Sequence, residues 1–184
     1  IVDKKPLTFN WSETKLVYDG TTKRIIATPV GLETGDAVTI NYKGNTAIHK
    51  GEYTAEIVSL SGLKADSYTI ENAPSLSTEW SIAKTDNDLT MGISIDNWTY
   101  GDDASVPKGE VLFGQGIFVY SDDVHGTYTE EQPTEAGTYF MKLVADGTDD
   151  YGAFESNTVR FVIKKRPVTV IADDVASAAF DGLF

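Results

Sequence analysis

The residues of this chain best suited to chemistry are its acidic pairs: Asp102-Asp103, Asp122-Asp123, Glu130-Glu131, Asp149-Asp150 and Asp173-Asp174. All sit among turn-forming residues. Calcium takes six to eight oxygen ligands, often from Asp in loops. The compact run Asp146-Gly147-Thr148-Asp149-Asp150 comes nearest to that chemistry, so Asp146, Asp149 and Asp150 are the candidate metal ligands and Ca2+ the candidate ion. No Asp-x-Asp-x-Asp-Gly loop accompanies them, and acidic turn formers are commonly just solvated. The expectation is therefore no cofactor, with calcium as the exception that run could hold.

Other chemistries lack their parts. His49 and His125 stand apart and the chain has no cysteine, so zinc-ligand spacing and disulfides are both absent. No Gly-x-Ser-x-Gly run presents a nucleophile. Paired glycosidase carboxylates would need a cleft that the strand pattern below does not offer. The chain is expected to be no enzyme and to carry no catalytic residue. Trp98 precedes a turn, and an exposed indole there could stack on a sugar, which makes it the candidate ligand-binding residue; packing in a core or between domains is the competing reading. Lys4, Lys5, Lys84 and Asn157 lie near strand ends, where a Lys–Asn isopeptide crosslink could form, but nothing marks a pair.

Strands must position all of these residues. No window of the sequence carries apolar residues at helical spacing over three turns, whereas runs of Val, Ile, Thr, Tyr and Phe alternate with polar residues between Gly, Asp, Asn and Pro. The pattern predicts strands at Leu7–Trp11, Lys15–Tyr18, Lys23–Thr28, Ala37–Tyr42, Glu52–Leu60, Tyr68–Glu71 and Glu79–Lys84. A second set follows at Leu89–Ile95, Val111–Phe113, Ile117–Ser121, Thr127–Thr129, Thr138–Ala145 and Asn157–Lys165, with one more at Val168–Ala172. Short strands at regular spacing point to antiparallel sandwiches. The 184 residues suffice for one large or two small domains.

The formal charge of −13 is concentrated in one region. Residues 1–84 hold nine Lys/Arg against ten Asp/Glu, while residues 85–163 hold three against fifteen. Such a surface repels phosphate backbones, so neither nucleic acid nor an anionic membrane is an expected partner. No apolar run approaches the ~20 residues of a membrane-spanning helix, and a monomer is expected. The chain opens at Ile1 without an initiator Met or a signal-peptide pattern, so it reads as a piece of a longer protein.

The two sets of strands align. Gly51-Glu52-Tyr53-Thr54-Ala55 matches Gly137-Thr138-Tyr139-Phe140-Met141, and Trp80-Ser81-Ile82-Ala83-Lys84 matches Phe161-Val162-Ile163-Lys164-Lys165. Val17-Tyr18-Asp19-Gly20-Thr21 returns as Thr99-Tyr100-Gly101-Asp102-Asp103, and again as Ala179-Phe180-Asp181-Gly182. Landmarks in one order, at offsets of 82, 86 and 81 residues for the tyrosine, glycine and isoleucine pairs, mark a repeat. Residues 1–84 form the first copy, 85–164 the second, and 165–184 open a third. The junctions at Lys84-Thr85-Asp86-Asn87 and Lys164-Lys165-Arg166-Pro167 contain no Gly/Ser stretch, so restricted hinges are expected. The Tyr18 ring is expected in the core, Asp19 exposed in a turn, and Trp80 in the core like its counterpart Phe161.

Lys5-Pro6-Leu7-Thr8, Val17-Tyr18-Asp19-Gly20-Thr21, Gly35-Asp36-Ala37-Val38 and Leu63-Lys64-Ala65-Asp66-Ser67-Tyr68 resemble the YDG/MBG class of bacterial immunoglobulin-like repeats. The second copy, with Trp98-Thr99-Tyr100-Gly101-Asp102 and Ala136-Gly137-Thr138-Tyr139, resembles a sister type. It departs in having Tyr-Gly-Asp where the first has Tyr-Asp-Gly. The resemblance implies an all-β fold of two tandem immunoglobulin-like antiparallel β-sandwich domains in a secreted or surface-attached bacterial protein. It implies a stalk or spacer with an adhesive role, meeting host or matrix glycans and proteins through the full-length protein, and brings no catalytic residues. The alternatives are a carbohydrate- or matrix-binding module, or an accessory region of an extracellular enzyme.

Overall fold

The computed structural model describes residues 3–71, 73 and 75–171. The fold is all-β. Strands β1 (Lys5–Pro6), β2 (Thr8–Trp11), β3 (Lys15–Val17), β4 (Lys23–Arg24), β5 (Ala27–Val30), β6 (Thr39–Lys43), β7 (Thr46–Ala47), β8 (Gly51–Ser61), β9 (Tyr68–Thr69) and β10 (Ser77–Ala83) make up the N-terminal half. The C-terminal half contains β11 (Leu89–Ser94), β12 (Trp98–Thr99), β13 (Lys108–Val111), β14 (Ile117–Ser121), β15 (Gly137–Ala145), β16 (Phe154–Glu155) and β17 (Val159–Lys164). Among the described residues the sole helical element is the 3-10 turn Ala65–Ser67. Within each half the named strands pair with one another.

Both halves are assembled in the same way. The N-terminal half has a sheet in the order β3-β10-β8-β6, and the C-terminal half one in the order β12-β17-β15-β14. In each, the long central strand is antiparallel to both neighbours, and the edge strand runs parallel to the last strand. Ile82 stands opposite Leu16 and Ile163 opposite Trp98. Period-two alternation aims one face of each central strand inward. Ala55 and Ile57 of β8 are buried, as are Met141, Leu143 and Ala145 of β15. Against them lie Trp80 and Ile82 of β10 in one half, and Phe161 and Ile163 of β17 in the other.

The matched aromatics are core residues, as the alignment expects. Trp80 is 2% exposed and Phe161 1%. Tyr53 packs on Trp80 at 4.9 Å between ring centroids and Tyr139 on Phe161 at 5.8 Å. Each tyrosine hydroxyl then donates to a carbonyl four residues back, Tyr53 to His49 O at 2.7 Å and Tyr139 to Glu135 O at 3.0 Å. This explains the glycine two residues before each. Neither Gly51 nor Gly137 has a positive φ, so a tight turn is not the reason. A Cβ on either would stand 3.0 Å from the tyrosine ring folded over it. Removing the hydroxyl with Tyr139→Phe should cost about 1 kcal/mol, the net worth of one hydrogen bond, in a denaturation midpoint, and a null effect would show the corner to be ornamental.

Strand assignment differs from the sequence pattern where period two has no room to show. Lys5–Pro6, Thr46–Ala47, Trp98–Thr99 and Phe154–Glu155 are two-residue strands. Thr127–Thr129 is not a strand; Thr129 makes only an isolated bridge to Tyr120. The strand expected at Val111–Phe113 lies earlier, at Lys108–Val111, because Phe113 is drawn into the contact described below. No strand pairs at 168–171, where Val168, Val170 and Ile171 are exposed. The rest of that expected strand, and the Phe180 echo, lie outside the described residues.

Candidate functional site

The Tyr18 turn is where the two halves meet. β3 delivers it beside the end of β10, with Tyr18 N–H donating to Ala83 O at 3.0 Å. Asp19 closes the turn locally. Its Oδ1 accepts from Thr21 N–H at 2.9 Å and from Thr21 Oγ1 at 2.6 Å. The Lys23 ammonium sits on its other oxygen and, with the Thr21 donors, holds the carboxyl down to about 2. Gly20 takes φ +81°, a conformation that favours glycine. The acid is thus exposed, and among the described residues its ion-pair partner is its own turn's lysine. The tyrosine departs from expectation: its ring is half-buried rather than enclosed in one core. One side rests on the Ile25, Ala55, Trp80 and Ile82 cluster. The other meets Phe113 at 5.4 Å and Tyr151 at 6.2 Å.

Both partner rings are held from their own half. Asn87 is buried and clamps the Phe113 backbone in both directions: its Nδ2 donates to Phe113 O and its Oδ1 accepts from Phe113 N–H, each at 2.9 Å. Phe113 and Tyr151 stack at 5.3 Å with 22° between planes. Gly114, at φ +78°, leaves room for the Tyr151 hydroxyl, which a Cβ would meet at 2.9 Å. Such a three-ring contact adds about 0.5–1.5 kcal/mol per pair beyond the area it buries.

Polar contacts surround the rings. Thr85, between the halves, bridges Tyr151: its N–H donates to Asp150 O at 3.0 Å and its carbonyl accepts from Gly152 N–H at 2.9 Å. Lys84 Nζ donates to Thr148 O at 2.7 Å. Asp150 reaches across to the N-terminal half, accepting from Lys50 N–H at 2.6 Å and lying 2.7 Å from His49 Nδ1. The carboxylate is mostly covered while His49 is largely exposed. The arrangement joins the two halves through aromatic, backbone and carboxylate contacts.

The Lys50 N–H and His49 hold the Asp150 carboxyl below its ordinary 3.8. A carboxylate lowered on folding stabilises the folded contact above its ordinary value and loses that contribution as pH falls through the lowered one. The junction should therefore be tight at neutral pH and loosen only as pH falls below the ordinary carboxylate value of 3.8, read from Tyr151 ring NMR shifts. Asp150→Asn should be looser at neutral pH and flat across the acid window; a titration unchanged by that substitution would assign the effect to another carboxyl.

The remaining candidates are dispersed. Asp146 and Asp149 are exposed on the loop whose third acid, Asp150, serves the junction. Among the described residues no three His, Cys, Asp or Glu side chains group as a metal centre. Trp98 is half-buried with its indole stacked on Phe161 at 5.3 Å and 17°. His125 is exposed, its backbone N–H on Asp123. Lys5 pairs with Glu33 and Lys84 with Thr148 O, away from Asn157. The junction itself was not legible in sequence, because His49 and Asp150 lie 101 residues apart. Its one local signal was the repeated aromatic-turn motif. No helix of the described residues is long and apolar enough to cross a membrane. No protein-family model matches the chain, and neither the curated proteins nor the solved structures give a match.

Proposed function

We propose that the chain comprises two immunoglobulin-like β-sandwich modules, residues 1–84 and 85–164, of the YDG/MBG kind, with residues 165–184 opening a third. In this reading they serve a bacterial cell-surface or secreted protein as a non-catalytic stalk that sets the spacing and orientation of what it carries, with an adhesive role in the whole protein. The observation that supports it is the junction. Its three rings, the Asp150 bridge and the Thr85 pairing spend two modules' polar and aromatic groups on fixing one angle. The tyrosine folded back onto the carbonyl four residues upstream, present in both halves, resembles the tyrosine corner of immunoglobulin sandwiches. Trp98 is half-buried and stacks one face of its indole on Phe161, which supports the packing reading over the sugar-stacking one.

Residual dipolar couplings measured for the two halves of the chain test the reading. A rigid spacer requires one alignment tensor to fit both. Independent tensors, indicating free rotation about Lys84-Thr85, would overturn it.

A further inference from the structure

The second half carries, at its far end, a counterpart of the seat that the first half uses to hold the second, and among the described residues it is open. The correspondence holds bond by bond. Tyr18 N–H donates to Ala83 O and Tyr100 N–H donates to Lys164 O. A glycine of similar φ closes each turn although its place shifts by one residue, Gly20 at +81° two residues after Tyr18 and Gly101 at +82° directly after Tyr100. Tyr53 and Tyr139 fix the carbonyls of His49 and Glu135 in turn. At the first end, Tyr18 is covered by Phe113 and Tyr151. At the second, Tyr100 is 44% exposed and lines an open, mostly apolar groove with Glu135, Ala136, Lys165, Arg166 and Val168. The Arg166 side chain lies over Gly101, much as Phe113 lies over Gly20. It is fixed there by Tyr100 O and Asp102. A guanidinium held by such bonds can serve as a stacking surface for an aromatic ring.

We infer that this groove is the docking seat for one further module of the same kind, entering directly after Arg166 and laying an aromatic ring on Tyr100 and Arg166. This rests on the tandem-module reading. It goes beyond it in stating what the next module must carry. At the occupied junction, His49 and the Lys50 N–H receive Asp150. At the open seat the position of His49 is taken by Glu135. An aspartate arriving there meets a like charge, which disfavours it, whereas a lysine or arginine is attracted. Lys165 and Arg166 line the same groove, Arg166 already paired with Asp102, so the seat takes the aromatic contact of the second module's entry face and, at Glu135, favours a cation over that module's Asp150. Successive modules are not interchangeable along the chain.

Two extended chains test this, each consisting of residues 1–166 followed directly by a second copy of residues 86–166. One copy is unchanged and the other carries Asp150→Lys. Hydroxyl-radical footprinting should show Tyr100 protected several-fold, relative to the 184-residue chain, in the lysine version and less in the unchanged one. Met141, fully buried in a folded module, reports that both copies have folded. Tyr100 as reactive as in the parent, with Met141 shielded in both copies, would overturn the seat. If the dipolar couplings of the parent still fit one tensor, the stalk reading survives that failure. The charge rule is tested independently at the occupied junction of the parent chain. His49→Glu alone should expose Tyr18 and Tyr151 to the radical, and His49→Glu with Asp150→Lys should restore their protection. A double variant as open as the single one would overturn the discrimination.

Discussion

Replacing Gly44 by alanine should destabilise the N-terminal half by about 3–5 kcal/mol, most of the 5–15 kcal/mol a domain commonly possesses at its lower end. Gly44 follows β6 at φ +71°, where a side chain costs about 1–2 kcal/mol. A Cβ there would stand 2.2 Å from Thr54 O, which is backbone of the central strand β8 and cannot swing aside. The turn must move instead. Its movement withdraws Gly44 O from Trp80 Nε1, a 3.0 Å bond to the largest side chain of the core. An indole N–H left without its acceptor costs a further 1–3 kcal/mol or about that. Gly35 provides the control: it has φ +90° but nothing within 4 Å of the added atom, so Gly35→Ala should show only the backbone term. Urea midpoints for the two variants measure the difference. Equal midpoints would mean that the collision with Thr54 is relieved at no cost.

Phe113→Ala should uncouple the halves while leaving each folded. Phe113 touches both other rings of the junction and lies outside the buried clusters of either half. Truncation removes two aromatic contacts and the area they cover, about 2 kcal/mol in all. That is small against the stability of a module and large against what holds two of them at a fixed angle. The expected result is two alignment tensors where the parent has one, and two calorimetric transitions where coupling had merged them. Asn87→Ala should follow in the same direction, since it frees the Phe113 backbone. Couplings that still fit a single tensor in Phe113→Ala would transfer the orienting role to Asp150 and Thr85.

The sequence showed the parts of this fold that repeat and hid those that occur once. Tyr53 and Tyr139, Trp80 and Phe161, and Ile82 and Ile163 were legible because period-two alternation and the matching order of landmarks expose any residue facing a core. Two-residue strands such as Trp98–Thr99 were not, since two residues cannot display a period. The junction was hidden for a different reason. Tyr18 reads as a core aromatic from its own half, and one side of its ring does pack there; the other meets Phe113, which the pattern placed at the end of a strand in the other half. Asp150 was visible as an acid that could do something. That it reaches His49 depends on bringing together positions far apart in the chain, information that no local pattern contains.

The parallel pairing of β3 with β10, and of β12 with β17, determines how each half responds to tension. A pull on the chain's two ends draws β3 backward through its start and β10 forward through its finish. The two strands run side by side in the same direction, so once β1 and β2 have yielded, that pull slides one along the other. The bonds from Lys15 to Val17 and the Tyr18 N–H bond to Ala83 O lie across the direction of sliding. They must give way together instead of opening one after another as a hairpin's would. The short edge strand that brings Tyr18 to the junction is also a shear clamp, and the same few residues that join the two halves bear the load when the first is pulled.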